Sequence, residues 1–266
     1  MKKFLLFTGI VFLLFFWIVG MFQSCANNIN YETESVGVDY DTYDSAEAVH
    51  TIAREWLDYY NNENYKTRYT LQEEWHDQAY QAREGFTVET WQTDEDFWQQ
   101  VYTELYDQSR NSLSFLEDSL KNIGDSLQLN REDFARMVVS FVQDIPYNYI
   151  LSDSCDAKHT DFPCVPFVKY GILSPIEFLC TLQGDCDTRT VLIFTLLKDF
   201  GYSPVIVNSN EYLHSMIALD IPTTGDYLEH KGKRYAFWET TNVGWLPGML
   251  PPDMNNTNYW HIILDL

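Results

Sequence analysis

The first half of the chain carries apolar residues mostly at the spacing of an amphipathic helix. Residues 44–47 have the pattern of a capping box, and an apolar stripe follows it at intervals of three or four positions. The members of this stripe are Val49, Ile52, Ala53, Trp56, Leu57 and Tyr60. The spacing predicts a helix over about 44–60, whereas the pattern of 63–90 fits either a helix or a strand.

Two further helices are predicted before the middle of the chain. The helical spacing runs over 94–123, is interrupted around 108–112, and is followed by Gly124 in the position after a helix end. Asn130 then precedes another apolar-periodic segment as an N-cap residue. We therefore predict a helical N-terminal region over 44–128.

The second half changes from helices to strands. Ser174-Pro175 and Glu177 form a strong helix start, and a second helix begins at Cys186 with apolar residues on nearly all sides, as in a buried helix. Strand-like segments follow, separated by a turn-rich hairpin connection at 226–233. These segments are 204–207, 214–221, 234–240 and, at a predicted sheet edge, 260–266. Helices followed by an antiparallel sheet predict an α+β fold.

The composition limits the classes of function. The chain of 266 residues is 45% hydrophobic, which is enough for a folded core and argues against intrinsic disorder. Its 17 Lys and Arg residues stand against 39 Asp and Glu residues, so the formal net charge is −22. Such a surface repels phosphate backbones, and we therefore expect no nucleic-acid partner.

The N-terminus has the pattern of an export segment. A lysine pair precedes an uncharged apolar run of 19 residues at 4–22, close to the roughly 20 residues of a membrane-spanning helix. Cys25 follows a small residue, as in the lipobox of bacterial lipoproteins. A lipid on Cys25, an uncleaved membrane anchor and secretion stay open. Each places the protein in or beyond the cell envelope, with 1–25 as the export or anchor segment and 26–43 as a tether.

The remaining cysteines divide into structural and reactive candidates. Outside the cytoplasm disulfides persist, so we expect a Cys155–Cys164 bridge. A metal site that adds His159 to these two is the alternative, although its spacing matches no usual zinc pattern. Cys180 lies in an apolar helix and is predicted to be a buried small hydrophobe.

Cys186 is the candidate nucleophile because it opens a helix. Unpaired N–H groups at a helix start stabilise a thiolate and can hold a developing oxyanion. The main-chain N–H of Cys186 is the expected oxyanion donor, with the Gln183 side chain as the alternative. His214 begins a predicted strand, and Glu239 ends the next strong one. Adjacent antiparallel strands can place this base and this acid side by side.

The sequence around these three residues resembles a known family. The segments are GDCDTRTVLIFTLLKDFGYSPVIV around Cys186, HSMIALDI at His214 and YAFWETT at Glu239. They are similar to the cysteine, histidine and acid motifs of the transglutaminase-like superfamily, and FVQDIPYNY is similar to the helix that often precedes its site. The resemblance covers about 130–245. At Glu239 the family usually has Asp, and Glu is one methylene longer.

This resemblance implies a fold and a reaction. The fold would be a papain-like core over 129–266, in which the nucleophile helix packs on an antiparallel sheet. Cys186, His214 and Glu239 would be a catalytic triad that attacks a protein or peptide amide and forms an acyl-enzyme. Water would then give hydrolysis and an amine would give crosslinking, without a metal or cofactor.

Two other function classes stay open at this point. A papain-like domain can lose activity and persist as a peptide-binding or assembly module, and the unexplained helical region favours an interaction role. A redox protein is disfavoured, because Cys180 and Cys186 do not form a Cys-x-x-Cys pattern. The sequence does not indicate an oligomeric state.

Overall fold

A computed structural model describes residues 39–44, 49–155 and 162–266. The predicted export segment with Cys25, most of the tether, the capping box after its first residue, and His159 lie outside the described residues. Within the part that is described, no helix is both long enough and apolar enough to cross a membrane. The described residues belong to one compact unit.

The chain begins with an antiparallel sheet where a helix was predicted. Its strands, in spatial order, are β1 (Asp39–Asp44), β2 (Val49–Asp58) and β3 (Glu63–Gln72). The predicted helix over 44–60 is therefore wrong. The ambiguous segment 63–90 divides into strand β3 and a helix.

Buried charges explain why the strand pattern of β2 was hidden. Its core-facing residues alternate as a strand requires, but two of the four are charged: Ile52, Arg54, Trp56 and Asp58. The Arg54 guanidinium pairs with the Asp144 carboxylate at 2.7 Å, and Asp58 faces Arg136 at 3.6 Å. Because these partners lie far away in the chain, the local pattern shows only the apolar residues, and these also fit a helix.

Four helices follow the first sheet. They are α1 (Glu73–Gly85), α2 (Asp94–Ser109), α3 (Ser114–Leu127) and α4 (Arg131–Gln143). The single helix predicted over 94–123 is two helices, divided where its spacing was interrupted. Gly124 does not end α3 but lies inside it. A glycine is needed there because a Cβ would come within 2.4 Å of the Phe134 ring. Asn130 caps α4 as predicted, accepting from the main-chain N–H groups of Glu132 and Asp133.

The second half has the predicted helices and strands, but the predicted hairpin connection at 226–233 contains a further strand, Tyr227–His230. The helices are α5 (Pro175–Thr181), which starts with the predicted capping box, and α6 (Cys186–Asp199). Two short parallel strands, β4 (Tyr149–Ile150) and β5 (Cys164–Val165), precede them. The five-stranded antiparallel sheet has the order β10-β6-β7-β9-β8, with β6 (Pro204–Ser209), β7 (His214–Leu219), β8 (Tyr227–His230), β9 (Lys233–Trp238) and β10 (His261–Leu264). The predicted edge strand is confirmed, and so is the α+β class.

Helix α6 lies at the centre of the molecule. It packs on β6 and β7 on one side and on helices α2, α4 and α5 on the others, so nearly all of its residues are buried. One hydrophobic core runs from Ile52 in β2 to Leu264 in β10. The regions 44–128 and 129–266 therefore share this core.

We expect Arg54→Ala to lower the free energy of unfolding by about 3–5 kcal/mol, because it leaves the Asp144 carboxylate buried without its partner. Lys66→Ala is the control, since it breaks a more exposed ion pair between β3 and Glu55 of the same strand β2 and should cost much less. Urea unfolding followed by circular dichroism measures both. If both variants lose the same free energy of unfolding, the buried Arg54–Asp144 pair stabilises the fold no more than the exposed pair does.

Candidate active site

Cys186 is the first residue of α6, as predicted. The Asp185 carboxylate caps the helix by accepting from the main-chain N–H of Thr188 at 3.1 Å. Gly184 precedes it where no side chain fits, because a Cβ would meet the Phe178 ring at 2.8 Å and the Thr188 methyl at 2.9 Å. The nucleophile candidate is therefore held by a local cap and by close packing of the turn before it.

The three predicted site residues come together. His214 begins β7, and Glu239 follows the last residue of β9, the strand paired with β7. The Nε2 atom of His214 is 2.9 Å from a Glu239 carboxylate oxygen, and the imidazole is also hydrogen bonded to the Cys186 thiol. His214 thus links the thiol to the acid.

The longer acid at position 239 is anchored by its own backbone. Its Oε1 atom accepts from the main-chain N–H groups of Thr240 and Thr241, both at 2.8 Å, and from the Thr241 hydroxyl at 2.6 Å. The other carboxylate oxygen is left for His214. These donors hold Glu239 in one orientation, so the additional methylene does not loosen the contact.

The pKa of Glu239 is lowered and the pKa of His214 is raised by their contact with each other. Burial alone would raise the pKa of Glu239, but the His214 imidazole and the Thr241 donors lower it to about 2. Burial alone would lower the pKa of His214, but Glu239 and Cys186 raise it well above the ordinary 6.5. The two groups therefore form a buried ion pair over a wide pH range.

The thiol differs from the expectation of a lowered pKa. Burial and the Asp187 carboxylate raise the pKa of Cys186, and His214 opposes them without reversing the direction. Burial and Asp187 also raise the pKa of Asp185 to about 8, so this helix cap is largely protonated at neutral pH. Burial of the thiol is the main reason for the difference, and the Asp187 carboxylate in the first turn of α6 adds to it by opposing the effect of the helix start.

Asp187 is held by residues from two other elements. The Tyr102 hydroxyl on α2 donates to the Asp187 carboxylate at 2.6 Å, and the Asn208 side chain on β6 donates to the Tyr102 oxygen at 3.1 Å. Tyr102 is fully buried. The N-terminal part of the chain therefore contributes a buried side chain next to the thiol, and nothing in the local sequence pattern indicated this.

Tyr147 is a site residue that was not among those predicted. Its hydroxyl is hydrogen bonded to the main chain of Cys186, the expected oxyanion donor, and burial raises its pKa. The residue after it donates its main-chain N–H to the Gly184 carbonyl at 3.2 Å. The segment FVQDIPYNY contains Tyr147 directly after Pro146, and its resemblance to the helix that precedes the family's site could have identified this residue. Gln183, the alternative donor, is exposed.

The other cysteines have no part in this site. Cys155 and Cys164 form the predicted disulfide, so a metal site on their thiols is wrong. Over residues 49–155 and 162–266, no cluster of His, Cys, Asp and Glu could hold a metal ion. Cys180 and Cys186 are both free thiols. Burial raises the pKa of Cys180 to about 12, and that side chain is partly buried.

The site brings together a buried thiol, an imidazole and a carboxylate, which are the groups of a thiol-based catalytic triad. Comparison of the whole chain with known proteins gave no matching family model, no matching curated protein and no matching solved structure.

We predict that Asp187→Asn lowers the pKa of Cys186, because it removes a negative charge that opposes the thiolate. The rate of alkylation by iodoacetamide should then rise at lower pH than in the wild type. Asp125→Asn, an exposed acid paired with Lys121, is the control with the same change in net charge. His214→Ala should move the profile to higher pH. If the alkylation rate depends on pH in the same way in the wild type and in Asp187→Asn, the Asp187 charge does not raise the pKa of Cys186.

The His214–Glu239 pair also predicts a pH window of stability. The raised pKa of His214 adds stability that is complete below 6.5 and is lost as the pH rises through the raised value. The lowered pKa of Glu239 adds stability that is complete above 4.5 and is lost as the pH falls towards about 2. Glu239→Gln should therefore cost most between 4.5 and 6.5, about 3–5 kcal/mol.

Urea unfolding at several pH values measures this window. Thr241→Val is the control, because it removes one hydrogen bond to the same carboxylate and keeps the charge. Its cost should change little with pH, whereas that of Glu239→Gln should shrink at alkaline pH. A cost of Glu239→Gln that is constant from acid to alkaline pH would show that the pair is not ionised.

Proposed function

We propose that this protein carries out thiol-dependent amide chemistry through an acyl-enzyme, as a peptidase, amidase or transglutaminase-type acyltransferase. The observation that carries the proposal is the position of His214, hydrogen bonded to the Cys186 thiol and 2.9 Å from the buried Glu239 carboxylate. A thiol, an imidazole and an orienting acid in contact are the set that nucleophilic acyl transfer requires.

The proposed reaction begins with attack of the Cys186 thiolate on the amide carbonyl carbon. A carbon–sulfur bond forms, and the carbonyl oxygen takes the electron pair as an oxyanion. The neighbouring Tyr147 hydroxyl is one donor, since its raised pKa keeps it protonated. The main-chain N–H of Cys186, which is hydrogen bonded to the Tyr147 oxygen at rest, becomes the second donor when the oxyanion replaces that oxygen. The His214 imidazolium then gives its proton to the nitrogen, and the amine leaves as the thioester forms.

The second half of the reaction restores the thiol. Neutral His214 takes a proton from water or from an incoming amine, which attacks the thioester carbon. The carbon–sulfur bond breaks, a carboxylic acid or a new amide leaves, and the sulfur recovers its proton. Because the pKa of Cys186 is raised, we expect turnover to increase with pH until His214 loses the proton that the leaving amine needs.

We further propose that the core is papain-like and that the protein is a transglutaminase-like member anchored in the bacterial cell envelope. The support for the core is helix α6, which carries Cys186 at its start and packs on strands β6 and β7 of an antiparallel sheet. The support for the location is the apolar segment 4–22 with Cys25, together with the Cys155–Cys164 disulfide, which is typical outside the cytoplasm.

The second candidate function is a peptide-binding or assembly module without turnover. It is favoured by the resting thiol, which is only 6% exposed and has a raised pKa. In this case peptides would bind beside Cys186 without forming a thioester. Binding that is equal in the wild type and Cys186→Ser, without any acylation of the wild type, would favour this module.

The proposed function predicts that Cys186→Ser abolishes both alkylation at this position and conversion of amide substrates. Cys180→Ser, which removes the other free thiol of the described chain, should leave both unchanged. The measurement is intact-mass spectrometry of the protein and of a library of glutamine-containing peptides, with and without a biotinylated primary amine. Peptide cleavage or a gain of about 1 Da indicates hydrolysis, and amine incorporation indicates acyl transfer.

The experiment also separates the alternatives. A thioester adduct that accumulates on the wild type and is absent from Cys186→Ser would establish the acyl-enzyme. If Cys186 is alkylated but neither an acyl adduct nor a product forms with any peptide, the amide chemistry is wrong. Equal product formation in the wild type and Cys186→Ser would overturn the role of this thiol.

A further inference from the structure

Three aromatic side chains form a continuous surface beside the candidate nucleophile. The Tyr147 and Tyr149 rings are 5.5 Å apart, and the Phe162 ring lies 5.1 Å from Tyr147 and 5.9 Å from Tyr149. We call these three residues the aromatic wall. All three pairs are edge-to-face or tilted, which is the preferred geometry of aromatic contacts.

The aromatic wall reaches from the thiol to the surface. At its inner end, the Tyr147 hydroxyl is hydrogen bonded to the main chain of Cys186. Tyr149 is partly buried in the middle, and Phe162 is 45% exposed at the outer end. An aromatic ring this exposed, in contact with a residue that touches the nucleophile, is available to a molecule that enters the site.

The backbone holds the aromatic wall in place on both sides. The main-chain N–H of Tyr149 donates to the Pro163 carbonyl at 2.8 Å, and β4 pairs with β5 at Cys164, one end of the disulfide. On the other side, Tyr147 and Gly184 form a parallel bridge. The wall is therefore fixed relative to the start of α6, as a substrate-binding surface must be.

The charges around the thiol indicate which substrates fit this surface. Asp187 lies beside Cys186, the Glu239 carboxylate is paired with the His214 imidazolium, and the whole chain has a net charge of −22. An acidic substrate side chain would be repelled there, whereas an uncharged ring would gain contact area and edge-to-face contacts. The wall itself contains no charged side chain.

We propose that the aromatic wall is a subsite for a large apolar or aromatic group adjacent to the carbonyl that Cys186 attacks. This inference rests on the proposed function, since it assigns a substrate class to the same thiol. Phe162 is its specificity-determining residue. The protein would therefore select amides with aromatic or bulky apolar side chains over those with acidic ones.

The test compares two thiol alkylating reagents and needs no known substrate. Iodoacetamide is small, and N-benzyl-iodoacetamide has the same reacting carbon but carries an aromatic ring on the benzyl group beyond its amide nitrogen. The ratio of their rates at Cys186 is measured by mass spectrometry in a Cys180→Ser background and divided by their ratio with free cysteine. We expect the wild type to favour the benzyl reagent by about three- to tenfold.

Phe162→Ala should remove most of this preference, and Phe162→Tyr should keep it because the ring remains. Phe167→Ala is the matched control, since Phe167 is 74% exposed and does not belong to the aromatic wall. It should keep the wild-type ratio.

Equal normalised rates of the two reagents in the wild type, or an unchanged ratio in Phe162→Ala, would overturn the subsite while leaving the thiol chemistry intact. An ordinary thiol of pKa about 8.5 is ionised at pH 10. If neither reagent labels Cys186 at any pH up to about 10, the assignment of Cys186 as a reactive thiol is wrong. The proposed function and this inference then fail together.

Discussion

A single buried guanidinium joins the parts of the molecule that meet at Cys186. Arg189, in the second turn of α6, is fully buried and donates to the carbonyls of Val142, Ile145 and Gly184. The first two belong to the end of α4 and the residues just after it, where carbonyls lack the regular donors of a helix interior. Burial lowers the pKa of Arg189 to about 10, so it still carries its charge at neutral pH. Without it, each of these three carbonyls would lose a hydrogen bond, although Val142 and Gly184 would each keep one main-chain donor.

The position of Tyr147 depends on this arrangement. It lies two residues after Ile145, and its neighbour Asn148 donates to Gly184, the third carbonyl partner of Arg189. The guanidinium also lies 5.5 Å from the Tyr147 ring. The Arg189 guanidinium therefore binds carbonyls at the end of α4 and in the turn before Cys186. By connecting these two segments it also positions the Tyr147 hydroxyl at the main chain of Cys186.

The electrostatics of the site reflect two opposing demands. Glu239 stabilises the His214 imidazolium, which favours a thiolate beside it, whereas Asp187 opposes that thiolate. Tyr102 from α2 donates to Asp187 and so ties the protonation of the thiol to the packing of the N-terminal helices. The region before α4 is thus part of the site's electrostatic environment.

The sequence by itself determined the features that depend on neighbouring residues. The caps at Asn130 and Ser174, the start of α6 at Cys186, and the strands that carry His214 and Glu239 follow from local hydrogen bonding and side-chain periodicity. The order of the three site residues along those elements therefore follows from the amino-acid sequence alone.

Only the tertiary structure decided the rest, because it depends on partners far apart in the chain. β2 was predicted as a helix, since the burial of Arg54 requires Asp144, which lies 90 residues away. The raised pKa of Cys186 depends on burial, and the Tyr102–Asp187 bond joins residues 85 positions apart. Buried charges and buried hydrogen-bonding groups are stable only when they are paired, and here the partners lie far apart in the chain. A local sequence pattern therefore does not predict these pairs.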